Sequence, residues 1–249
     1  MRWAATRWVA PAVALSICGI YAWANLVLVT RQWQFDDIGA YLQAAVRLRH
    51  GMPLYAAMAD PSLVYRYAPW FAAAWIPMTY LPRLAVEVVW AFILLGATLA
   101  SVWQFRHSTA EVCLALLLGG ILYRTAGWAN VQPLVVVALV YLLPTRAGPW
   151  TVGVAASLKV LPILFLALYA WRRDWRSVGI GLGVAVLLWA PALFFDLSNY
   201  PLSRAPNLYD ATLLLAVPAA IAAGRSAGRG PGWHRGRPRT SPPTRPVPA

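Results

Sequence analysis

The chain has 249 residues, 60% of them hydrophobic and 12% charged, with a formal net charge of +13. A soluble domain of this size carries about 25% charged residues, so repeated apolar runs at half that density exclude a soluble fold and mean several membrane spans. The charge does not point to nucleic acid, because six arginines lie in the last 26 residues and most others stand at the ends of apolar runs, where they anchor helices.

Arg2 and Arg7 precede an apolar stretch over residues 9–29. That stretch is about 20 residues long, more than a secretory h-region, and no small-residue cleavage site closes it. It reads as a retained first span with a cytoplasmic N-terminus. Residues 30–63 are polar enough to leave the bilayer. There Asp36 and Asp37, two of only eight acids, open a segment in which Ile38, Tyr41, Leu42, Ala45, Val46 and Leu48 recur at near-helical spacing. Gln43, Arg47 and Arg49 fall on the other side, which describes an amphipathic helix on the membrane surface, with His50 at its end and Gly51 and Pro53 stopping it.

A short second span is expected over 67–81, carrying Pro69 and Pro77 and closed by Pro82; such prolines free backbone groups that neighbours or a cavity must satisfy. A third runs over 84–105, with Glu87 near its start. Two apolar runs, 112–123 and 133–143, flank a polar segment from Arg124 to Pro133. Each is about half a span, so they are two short helices or a re-entrant pair. A full span over 150–171 holds Lys159 near its middle and is followed by Arg172, Arg173 and Arg176. Another runs over 178–197, and a last short run over 211–223 contains Pro218.

These runs divide the chain into a polytopic membrane domain over 1–223 and a tail over 224–249. The tail is rich in Arg, Pro and Gly, cannot bury a core and is expected to be disordered. It could meet anionic lipid; the blander expectation is a tail without a task, such as the product of a shifted reading frame. With the N-terminus inside, eight crossings place Asp36 and Asp37 outside and both the Arg172–Arg176 cluster and the tail inside, in line with the positive-inside rule. Cys18 and Cys113 lie in apolar segments and read as small hydrophobes.

A carboxylate at the outer surface, ahead of a proline-broken segment, suits general-base work on a hydroxyl, which requires approach to about 3 Å. The alternative is a helix N-cap at Asp36 or Asp37, which the residues alone favour. Arg66 is either a cation for an anionic substrate or an interfacial snorkelling side chain. Lys159, the only lysine, is a costly intramembrane charge that reaches a ligand, an acid or a polar cavity. Tyr41 and Tyr55 stack on a sugar or anchor at the interface. Asn130 and Gln132 bond a polar headgroup or satisfy one another.

The ordered series Asp37-x-x-x-Tyr41, Ala44-Ala45, Gly51, Leu54-Tyr55, Tyr67-x-Pro69, Ile76-Pro77, Leu81-Pro82, Gly127-x-x-Asn130 and Leu158-Lys159-Val160-Leu161-Pro162 resembles glycosyltransferase family 87 over roughly residues 9–195. Trp128 stands where that family commonly has Gln. The resemblance implies an all-α integral membrane fold of the GT-C type, a multispanning helical bundle of about eight membrane segments, some short or re-entrant. It implies an inverting plasma-membrane hexosyltransferase that moves mannose from a polyprenyl-phosphate donor to a lipid or glycan acceptor on the outer face.

Asp37 would then be the catalytic base, with Asp36 beside it. Tyr41, Tyr55, Arg66, Tyr67, Asn130 and Lys159 would contact substrate. The leaving phosphate is already charged and needs cations rather than an acid. No cofactor or metal is expected, and the partners are donor, acceptor and membrane lipid. The resemblance also implies further spans; if those complete the donor pocket, the alternative is a shortened and inactive relative. A transporter component is the competing class, but it would show internal repeats and put its polar residues at the midplane, whereas no repeat is present and the richest polar stretch lies outside the bilayer.

Overall fold

The computed structural model describes residues 2–30, 35–56, 60, 63–200, 208–218 and 221. Among them there are helices and 3₁₀ turns and no strands. The α-helices are α1 (Arg2–Thr30), α2 (Asp36–Arg49), α3 (Pro69–Trp75), α4 (Arg83–Trp103), α5 (Thr109–Gly127), α6 (Gln132–Leu142), α7 (Gly148–Leu158), α8 (Leu166–Trp171) and α9 (Trp175–Trp189). Four stretches are long and apolar enough to cross a membrane, by length and composition: Val9–Leu28, Arg83–Trp103, Thr109–Gly127 and Trp175–Phe194. Their outer faces carry Leu84, Phe92, Leu99, Leu187 and Phe194, all more than two-thirds exposed. Only lipid satisfies such a surface. The chain is an all-α membrane protein.

Several boundaries differ from the expectations. The stretch 67–81 is the seven-residue α3 followed by a 3₁₀ turn, Ile76–Tyr80. At 1.5 and 2.0 Å per residue these reach roughly 20 Å, short of a 30 Å hydrocarbon core. Pro77 at the start of the 3₁₀ turn removes an α-helical donor and so ends the α-helix. In the other direction, α5 runs through the supposedly polar Arg124–Gly127 and reaches full crossing length. Thr125 makes this possible by donating its hydroxyl to the Leu122 carbonyl at 2.7 Å. Arg124 lays its guanidinium over the Trp128 ring, 5.3 Å from the centroid.

The run 150–171 is not one helix. α7 stops at Leu158, Lys159 is extended, and a 3₁₀ turn over Leu161–Phe165 precedes α8. Pro162, in the first turn after the break, is compatible with a helix start and incompatible with helix continuation. Lys159 therefore sits at a break in a helix, not within one. α2 matches its expected limits, with His50 as C-cap and Gly51 at φ 65°. Its apolar face, however, packs on α3 and the 76–80 turn rather than on lipid. The tail, 224–249, lies outside the described residues.

The most extensive packing joins helices that are not neighbours in sequence. α1 lies along α5, α4 packs on α5 and α6, and α7 on α9. The α7–α9 seam is closed by small residues. A Cβ on Gly153 would stand 2.6 Å from the Gly181 carbonyl oxygen and from Val184 Cβ, so only glycine lets the two backbones approach this closely. One apolar core joins α5, α6, α7 and α8 with the 208–216 turn, around Leu122, Val136, Leu139, Val152 and Leu215. A second, aromatic core occupies the other end and gathers α2, the 54–75 segment, α4 and the α5–α6 junction.

Candidate active site

Two short segments with uncommon backbone meet at the aromatic end. Phe35 precedes α2 with φ 46°, and Ala129 joins α5 to α6 with φ 61°. Left-handed backbone costs a residue with a Cβ about 1 kcal/mol or more, and strain of this kind persists only where surrounding contacts enforce it. Here the contacts are explicit. Phe35 N–H donates to the Gly127 carbonyl at 3.5 Å and Asp37 N–H to the Trp128 carbonyl at 3.2 Å. Trp90 on α4 donates its indole N–H to the Ala129 carbonyl at 2.9 Å.

This clasp fixes Asp37. The N-cap of α2 is Phe35, without a side-chain cap, so Asp36 and Asp37 occupy the first helical turn rather than the cap position. The cap reading of the acids is thereby corrected: backbone carbonyls from the α5–α6 junction take the orphan N–H groups that an acidic cap would have taken. The carboxylate of Asp37 is left to other work. Its Oδ2 accepts from Asn130 Nδ2 at 2.6 Å and from the Tyr41 hydroxyl at 3.3 Å. None of these bonds involves Asp36.

The orientation of the Asn130 amide is dictated by its second bond. Its Oδ1 accepts the Gln132 N–H at 3.0 Å, so the NH₂ end must face Asp37. Tyr41 lies one helical turn after Asp37 and is fully buried, walled by the rings of Tyr67, Phe71, Trp75 and Trp90 at 4.9 to 6.4 Å between centroids. The Tyr41 and Tyr67 hydroxyls are 3.2 Å apart. With one proton each, Tyr67 donating to Tyr41 and Tyr41 to Asp37 satisfies the chain. Burial, then the neighbouring Tyr67 and Asp37, hold the Tyr41 hydroxyl well above the usual phenol range, so it remains a donor.

The remaining candidates sit around this cluster. Tyr55 is buried, donates to the Tyr67 carbonyl at 2.9 Å and meets the edge of Tyr200 at 5.1 Å. Arg66 is half-buried. Its carbonyl accepts from the Tyr200 hydroxyl at 3.2 Å, and its Nε is buried with no hydrogen-bond partner among the described residues. Lys159 directly follows Leu158, which packs against the aromatic core, while Ser157 accepts the Trp70 indole N–H at 3.0 Å. The structure thus brings Asp37, Tyr41, Tyr67 and Asn130 into one bonded group. It places Tyr55 and Arg66 beside that group and Lys159 at the end of α7, next to Leu158, which packs on the aromatic core. The sequence reading missed Trp90, Arg124, Tyr200 and the two carbonyls of Gly127 and Trp128. Trp90, Tyr200 and the two carbonyls carry no local signal, since each acts through a partner distant in sequence, whereas Arg124 covers a ring only four residues on.

The arrangement offers one held carboxylate, an aromatic wall and a buried guanidinium nitrogen at one end of a membrane bundle, which suits abstraction of a hydroxyl proton next to an anionic group. Comparison with known proteins is consistent with such chemistry. No curated protein and no solved structure matches the chain. The family model for glycosyltransferase family 87 matches residues 65–201, which takes in Tyr67, Asn130 and Lys159 and more than half of the chain. On that match the chain belongs to glycosyltransferase family 87, a family of membrane glycosyltransferases.

Proposed function

We propose that this protein transfers a hexose, mannose being the best fit to the resemblance, from a polyprenyl-phosphate donor to a hydroxyl of a lipid or glycan acceptor. Asp37 is the general base. It takes the acceptor proton as the acceptor oxygen forms its bond to the anomeric carbon, and the carbon–oxygen bond to phosphate breaks on the opposite face with inversion. The polyprenyl phosphate leaves with the bonding electrons and needs no proton. The observation that carries this reading is the Asn130–Asp37 bond at 2.6 Å, which holds one acid across 93 residues of chain. A structural cap would need no such partner.

The other residues divide by what they touch. Tyr41 is buried among rings and bonded to Asp37, and Asn130 is bonded at both ends of its amide. Both are therefore proposed to hold the base rather than to stack on sugar. Arg66, whose buried Nε has no hydrogen-bond partner among the described residues, is proposed to meet the donor phosphate, and Lys159 at the helix break to supply a second cation. Tyr55 and Tyr67 wall the sugar site. The site end faces outward, across the plasma membrane from Arg172, Arg173 and Arg176, whose positions support that orientation.

The test is transfer of labelled mannose from polyprenyl-phosphate mannose by purified protein. Asp37→Asn keeps the acceptor geometry and removes the base, so product formation should fall by about 10²–10⁴-fold, while Asp36→Asn should cost little. Equal product from wild type and Asp37→Asn would sink the assignment.

A further inference from the structure

The hold on Asp37 does not end at Asn130. Gln132, the first residue of α6, gives its backbone N–H to Asn130 Oδ1 at 3.0 Å. Its side chain is fully buried, and Nε2 donates to Thr212 Oγ1 at 2.9 Å. Thr212 is itself fully buried, in the 3₁₀ turn Leu208–Ala216, which packs against α5 and α6. Thr212, Gln132, Asn130 and Asp37 thus form a continuous series. It starts in a segment beyond the family match, which ends at residue 201, and finishes at a carboxylate that precedes it.

The physics gives the series a direction. A buried amide is costly to leave unpaired, so the bond to Thr212 restrains where Gln132 lies. Gln132 also begins α6, and the position of its N–H sets the rotamer of Asn130, whose other end fixes Asp37. A displacement of well under 1 Å in such a chain matters to a base that must approach its proton to about 3 Å.

We infer that Thr212 is a positioning residue for the transfer reaction, acting on Asp37 through Gln132 and Asn130. This rests on Asp37 being the base. Accordingly the segment 208–216, outside the family match, is a working part of the site.

The experiment compares Thr212→Val, which keeps the shape and removes the hydroxyl, with Thr212→Ser, which keeps the hydroxyl, both in the full chain. Amide hydrogen exchange at Gln132 and Asp37 should quicken about tenfold in Thr212→Val, the scale of one lost hydrogen bond, and match wild type in Thr212→Ser. Transfer of mannose from polyprenyl-phosphate mannose should show kcat about tenfold lower in Thr212→Val at unchanged KM. In an Asn130→Ala background the same substitution should cost nothing more, because the route is already cut. Unchanged exchange at both amides, or losses that multiply in the double variant, would overturn the inference. Asp37→Asn still accepts from Asn130, so it should exchange like wild type while losing transfer. Full transfer by that variant would overturn the general-base reading and with it the functional role of Thr212, whereas lost transfer with an inert Thr212→Val would leave the base reading standing alone.

Discussion

At the scale of single residues, the tyrosines are as informative as the acid. Burial raises the hydroxyls of Tyr41, Tyr55 and Tyr65 above the ordinary value of 10.0. In the unfolded chain the same groups ionise near that ordinary value. Above it the unfolded state binds fewer protons than the folded one, so stability must fall as pH rises, and below it these groups contribute no pH dependence. The thermal midpoint in detergent should accordingly stay level up to about pH 9.5 and drop beyond pH 10. Tyr41→Phe should lose part of that alkaline drop, because its proton no longer counts; an identical decline in variant and wild type would show that Tyr41 is not the buried group responsible. The Asp37–Tyr41 pair was legible from spacing, since residues four apart share a helix face. Its bond to Asn130 was not legible, because no local pattern announces a partner 93 positions away.

At the scale of elements, composition identified the apolar runs, and stereochemistry decided where helices stop. α2 and α4 fall close to their expected limits because Gly51 and Pro53 end the first and Pro82 precedes the second, while α1 begins seven residues before its expected start. α5 was read too short because Arg124 and Thr125 look like loop residues until Thr125 bonds back to Leu122 and Arg124 covers Trp128. The break at Lys159 was read through because the run stays apolar on both sides, and Pro162 was the only mark of it. Close helix approach was equally hidden. Gly153 and Gly183 look alike in sequence, yet a Cβ at Gly153 would meet α9 at 2.6 Å and one at Gly183 would meet nothing within 4 Å. Gly153→Ala should therefore cost about 1–3 kcal/mol by overpacking, while Gly183→Ala should be neutral or stabilising by up to about 1 kcal/mol. Thermal unfolding of the two variants side by side decides it, and equal losses would mean that the α7–α9 seam is looser than its geometry.

At the scale of the whole molecule, two cores divide the labour. The aliphatic one around Leu139 and Val152 supplies apolar packing, and the aromatic one around Tyr41 surrounds polar groups that need a rigid frame. The proposed orientation makes a direct claim about the two ends. With Cys18 and Cys113 replaced by serine, an impermeant maleimide should label Met52→Cys in intact cells and reach Arg146→Cys only after permeabilisation. The reverse pattern would turn the site toward the cytoplasm and require a donor presented there.

The distance along the chain between Asp37 and its partners also has a meaning in time. A ribosome adds about 5–20 residues per second. Asp37 therefore waits about 5–20 s for Asn130, 93 positions later, and Gln132 waits a comparable interval for Thr212, 80 positions beyond it. Throughout that interval the first helix is already made while the carboxylate has no frame. A nascent chain halted before residue 212 would carry every acid of the proposed site and the Asn130 bond but not the Thr212 support, so the site is complete only once residue 212 has been made.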